Sequence, residues 1–204
     1  MSSSSDLQLV FNNALQAYEK QTKIYLVAHP LTAQFQSCDS PSDTLALLRK
    51  QVRGGDDRWT SWLDPTVNVL DALSMVLGER ISLVCFETSL LRNLYLISTP
   101  QVISPTKLIF TGIGVLLSVR ILLDTFVWGH WSTHVSQAAN GARAIQGAFV
   151  DVFERIGFFF RRLESYIGVP LTTDMMDLII KIMIEVLSIL AIATKEIKLG
   201  RMSE

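Results

Sequence analysis

"TTDMMDLIIKIMIEVLSILAIATKEIK", Thr172 to Lys198, decides the fold. Between Met175 and Ala193 its only polar side chains are Asp177, Lys181, Glu185 and Ser188. Thr172 or Thr173 offers an N-cap, Asp174 falls in the first turn, and Lys195 and Lys198 stand near the end. That order of a capping hydroxyl, then an acid, then bases matches the dipole of a helix. A helix apolar on most of its faces is central to a bundle, because a surface helix shows only one apolar stripe. Ile179, Met183, Val186, Leu187 and Leu190 are therefore expected in the core.

Working outward, further helical patterns appear. Leu7, Val10, Phe11, Ala14 and Tyr18 recur at i, i+3, i+4, i+7. This predicts an amphipathic helix over 6–28, with Ser2 to Ser5 offering a cap and Pro30 ending or kinking it. In "CDSPSDTLALLRKQV", Ser42 is the expected N-cap of a helix with Leu45, Leu48 and Val52 on one face. "RGGDDR" is a hydrated turn. After it, Asp64 is expected to cap a helix with Pro65 in its first turn, buried through Val67, Leu70, Leu73 and Leu77 and ended by Gly78. Trp59 and Trp62 read as lids on the core. A long helix is expected over 140–167, with a stripe of Ala148, Val152, Ile156, Phe159 and Leu163. The fold class that follows is all-α: a multi-helix bundle with long central and C-terminal helices.

The totals fit one domain. The chain has 204 residues, is 49% hydrophobic and carries a net charge of -1, from 18 basic and 19 acidic residues. That length buries a sizeable core without disulfides or metal. So even a charge balance builds no field for nucleic acid or an anionic membrane surface. Cys38 and Cys85 form no metal spacing and no disulfide framework, which fits reduced thiols in a cytoplasmic protein. The polar N-terminus has no secretory signal pattern.

No motif points to chemistry. "FTGIGVLL" holds Gly112 and Gly114 but lacks a third glycine and a preceding strand, so close helix packing explains it. No G-x-x-x-x-G-K-[ST] loop occurs. His130 and His134 stand i, i+4, yet zinc needs three or four ligands and no third is spaced to join them. His29, before a proline, reads as a capping or surface residue. No nucleophile–base pair stands out, so no catalytic, cofactor-binding or metal residue is assigned, and no cofactor is expected. The one membrane candidate spans 108–127 and includes Leu108, Gly112, Gly114, Leu117 and Val127. Its charge-free run covers about 12 residues, against about 20 for a span. Arg120 and Asp124 would lie in hydrocarbon at a cost of several kcal/mol.

Six blocks carry a likeness. "NALQAYEKQTK", "HPLTAQFQSCDSPSDTLALLRKQV", "WLDPTVNVL", "PTKLIFTGIGVLL", "VDVFERIGFFFRRLE" and "EVLSILAIATKEIKLGR" resemble the Goodbye domain, over nearly the whole chain. That family stands at the N-terminus of fungal STAND proteins, the NLR-like signalling ATPases. The resemblance implies a non-enzymatic helical module, related in role to the HeLo-type death-inducing bundles. It implies protein partners, homotypic ones among them, and action in cell-death or incompatibility signalling. The alternative it leaves open is a membrane-acting effector that inserts an apolar helix. In the family a nucleotide-binding domain follows, and none is expected before Glu204. Two departures stand out. Removing 84–101, "VCFETSLLRNLYLISTPQ", joins "LGERISL" to "VISPTKLIF". Removing 119–137, "VRILLDTFVWGHWSTHVSQ", joins "GVLLS" to "AANGARAIQ". Each restores the family's run. Both pieces begin with valine and end with glutamine, as splice-donor GTATGT or GTGCGT and acceptor CAG would encode in frame. They are expected to be translated introns, irregular insertions that evolution never fitted to the bundle, and the chain then reads as a damaged gene's product. A mature transcript that keeps both segments would overturn this.

Overall fold

The computed structural model describes residues 4–52, 62–78, 103–130, 151–162 apart from 152 and 159, and 172–200. Among them every regular element is an α-helix, so the fold is all-α. The helices are α1 (Ser4–Thr22), α2 (Pro30–Gln36), α3 (Pro41–Gln51), α4 (Leu63–Gly78), α5 (Pro105–His130), α6 (151–162) and α7 (Thr173–Gly200). The 84–101 segment and residues 131–137 lie outside the described residues.

Local chemistry sets where each helix begins and ends. α1 stops at Thr22, not at Ala28 as the apolar stripe predicts. Lys23 takes a positive φ of 57°, a left-handed turn that no α-helix continues through. Its amide still closes on the Glu19 carbonyl at 2.8 Å, and the Thr22 hydroxyl accepts from the Ile24 amide at 3.2 Å. Pro30 opens α2 where the sequence reading had it end α1. Proline fits the first helical position, where its missing amide has no partner to lose. His29 caps that helix, with Nδ1 accepting from the Leu31 amide at 3.3 Å.

α3 corrects the expected cap. Ser40, not Ser42, accepts from the Asp43 amide at 3.1 Å, because Pro41 already occupies the first helical position. α4 corrects another. The Thr66 amide bonds the Trp62 carbonyl at 3.3 Å, so Asp64 lies inside the first turn. There its carboxylate takes Arg49 of α3 at 2.8 Å and 3.1 Å. Thr172 caps α7 by accepting from the Met175 amide at 3.3 Å.

α7 packs along α1 and α5. Ile179, Met183, Val186, Leu187 and Leu190 are buried, together with Ala191, Ala193 and Ile197. The Lys198 ammonium reaches the Thr22 carbonyl at 2.8 Å, and Tyr18 lies one turn earlier, beside Thr194. These pairings keep step along both chains, so α1 and α7 run parallel and their C-terminal ends meet. Lys198, expected to serve its own helix end, also neutralises the carbonyls that α1 leaves open.

α5 threads the centre of the bundle. A Cβ on Gly112 would sit 3.2 Å from Leu190 Cδ1, and one on Gly114 would sit 3.0 Å from Leu31 Cδ1. Both glycines thus let α5 close on α7 and α2. The Thr32 and Thr111 hydroxyls bond at 3.0 Å, with Thr32 donating to the Leu26 carbonyl, so two buried polar groups are satisfied. Lys107 donates to the Cys38 carbonyl at 2.7 Å, and Ser118 to Gln51 at 3.0 Å.

α6 sits on Trp62. Phe153 stacks on the indole with ring centroids 4.5 Å apart, and a Cβ on Gly157 would meet Trp62 Cβ at 3.1 Å. The buried stripe of α6 is therefore Phe153, Gly157 and Phe160, with Ile156 at its edge. Of the stripe expected from the sequence, Ile156 packs against the core, while Ala148, Val152, Phe159 and Leu163 lie outside the described residues; Gly157 was not part of it, since a glycine presents no apolar side chain to count. In α5 the backbone continues unbroken through 119–130, into the second suspected insertion. Val119 packs at the edge of the core.

Candidate functional site

Leu108 and Leu117, named in the membrane candidate, are buried at the centre of the bundle, as are Gly112 and Gly114. Val127 is on the same helix, with its side chain outside the described residues. Among the described residues no helix is long and apolar enough to cross a membrane. No group of three or more His, Cys, Asp or Glu able to hold a metal occurs among them. His130 is the last residue of α5, and His134 and Cys85 lie outside the described residues. Cys38 is a half-buried free thiol near the Gln34 carbonyl.

An apolar groove of about 520 Å³ lies between α6 and α7. Ile156 forms one wall, and Leu178, Ile182, Val186 and Ile189 form the other. Arg155, Lys181 and Glu185 stand on its rim as the charged groups. The floor follows from helix geometry. On α7 the core takes the face of Met183, Leu187 and Leu190. Residues 178, 182, 185, 189 and 192 lie on the opposite side, at alternating steps of four and three. That alternation keeps them on one line, as on a coiled-coil seam. Leu178 is 55% exposed and Ile192 53%, whereas core positions on the same helix fall to 0%. Ile182 and Ile189 between them are half-buried, so the row is exposed at its two ends and partly open in its middle, an apolar strip suited to an interaction surface.

The sequence reading placed α7 at the centre because nearly all of its faces are apolar. It did not separate two apolar stripes, one toward the core and one facing out. The signal was available in the heptad spacing of Leu178, Ile182, Ile189 and Ile192, interrupted by Glu185.

Two titratable groups shifted by their surroundings lie away from the groove, Tyr18 buried and Glu19 half-buried. Burial pushes the Tyr18 hydroxyl up to about 12, and Thr194 opposes this weakly without reaching full hydrogen-bond geometry. Glu19 is pushed up to about 7 by burial, while the Leu26 amide, donating to its carboxylate, partly offsets the rise. His29 is lowered by burial. Among the described residues none of these three groups is shifted by a neighbouring acid or base.

Comparison with protein families, characterised proteins and solved structures finds no match to this chain.

Proposed function

We propose that this chain is a non-enzymatic helical interaction module, of the Goodbye type that precedes the switch domain in fungal NLR-like proteins, acting in cell-death or incompatibility signalling. The family part of this reading rests on the sequence blocks alone. The interaction part is carried by one observation: an aliphatic row on α7, exposed at Leu178 and half-buried at Ile182 and Ile189, lines the groove against α6. A groove between two helices, apolar along its floor and charged on its rim, suits the apolar face of a third helix. Helix-in-groove binding needs anchors at i, i+3, i+4 and i+7, and Leu178, Ile182 and Ile189 offer the matching spacing. The partner is a protein, with no nucleic acid, metal or cofactor in the reading. Membrane action through 108–127 is the weaker alternative, since the centre of α5 would first have to leave the core.

A photo-reactive amino acid in place of Leu178 tests the reading. Irradiation in cells that express the chain is expected to yield a protein adduct at that position. The adduct should be lost when Ile189→Lys places a charge in the floor. Adducts to lipid alone, or none, would overturn it.

A further inference from the structure

We propose that the outer face of α7 is an isologous contact, in which two copies of this chain pair antiparallel along Met175 to Ile192. This rests on the interaction reading above and names its partner. The row Met175, Leu178, Ile182, Glu185, Ile189, Ile192 steps by three, four, three, four and three residues. Read backwards, the series of steps is the same. A two-fold axis between Ile182 and Glu185 therefore maps the row onto itself. Met175 then meets Ile192 of the second copy, Leu178 meets Ile189, and Ile182 meets Glu185. Every apolar position but Ile182 faces an apolar one.

The charges decide between this register and its neighbours. Ile182 faces Glu185, and Lys181, exposed beside Ile182, comes level with that same carboxylate. Lys181 and Glu185 of each copy thus exchange partners across the axis, giving two ion pairs. Centring the axis on Glu185 would instead set two carboxylates against each other. A parallel pairing would align Lys181 with Lys181 and Glu185 with Glu185. Neither residue has a salt-bridge partner within the chain among the described residues. Arg155, on the opposite rim, adds a second cation facing the incoming helix. The step pattern is that of 3–4 ridge packing, which sets helices about 20° apart and suits a long, shallow contact.

Complementary charge swaps test this, on surface positions that leave the core untouched. The wild-type chain is expected to dimerise in sedimentation equilibrium or light scattering. Lys181→Glu and Glu185→Lys alone should each weaken self-association by about tenfold or more, because like charges then meet across the axis. Mixing the two variants should form a heterodimer, since two acidic rims meet two basic ones. The double variant should dimerise like the wild type. Circular dichroism checks that each variant is folded. Register is read separately. In a Cys38→Ser, Cys85→Ser background, Leu178→Cys/Ile189→Cys should oxidise to a covalent dimer. The two positions lie about 16 Å apart on one helix, beyond the reach of an internal disulfide. A wild-type monomer at the highest soluble concentration, or single swaps that self-associate as tightly as the wild type, overturns the proposal. A monomer whose groove still gives an adduct to a different protein sinks the homotypic contact and leaves the interaction reading standing. Failure of both assays sinks both.

Discussion

Glu19 shows how a single side chain can tie stability to pH. Its carboxyl is held at about 7, above its usual value near 4.5, chiefly because burial disfavours the charge. The folded chain therefore holds a proton between those values that the unfolded chain releases. Stability is full below about 4.5 and falls as pH rises through about 7. Glu19→Gln removes the charge and keeps an acceptor for the Leu26 amide. It is expected to stabilise the protein at pH 8 by about 1 kcal/mol after allowance for solvent screening, with the gain vanishing near pH 4. Urea titrations at the two pH values check the sign. Gly157 is a second such residue. Alanine gains about 1 kcal/mol of helix propensity but sets a methyl against Trp62 Cβ, which the backbone holds in place. Gly157→Ala is expected to lose about 1 kcal/mol net, and Gly157→Val more. Leu187→Ala, at a fully buried site on α7, is expected to lose about 2–5 kcal/mol through lost contact and a residual cavity.

At the scale of whole helices, the sequence disclosed existence better than edges. The apolar spacing from Phe11 to Tyr18 marks α1, and the buried series from Ile179 to Leu190 marks α7. What ended α1 was a left-handed residue at Lys23, a backbone choice that lysine does not advertise. Ser40 and Ser42 both precede an apolar run. Only the placement of Pro41 at the first helical position separates them, and that reading was available. The contact of Gly157 with Trp62 was not legible because the glycine fits there by the absence of a side chain. The groove escaped notice because an apolar residue facing solvent looks, in one dimension, like one facing the core. Caps can be checked directly. Ser40→Ala removes the acceptor for the Asp43 amide and is expected to cost about 1 kcal/mol in thermal or chemical denaturation, whereas Ser42→Ala should cost little.

For the molecule as a whole, Leu108 to Leu117 form the middle of the core and the net charge is -1. Folded protein is therefore expected to leave vesicles of neutral and anionic lipid intact at neutral pH, with dye release at background. Strong release by folded chain would revive the membrane alternative. The suspected insertions bear on the same scale. Residues 119–130 prolong α5 rather than looping out, so trimming 119–137 tests whether that extension contributes stability. An unchanged or higher melting temperature is the expected outcome. A final consequence is mechanical. Because α1 and α7 run parallel, the start of α1 and the end of α7 lie at opposite poles. Pulling the two ends apart loads their shared interface in shear, so all its side chains resist together instead of being peeled one turn at a time. Under such a load the Lys198–Thr22 tether at the far pole carries force from the first moment. In a force-ramp experiment this direction should give one high, abrupt rupture, governed by the unfolding rate. Attachment at Thr22 and Gly200, which share a pole, should unzip the same helices at low force.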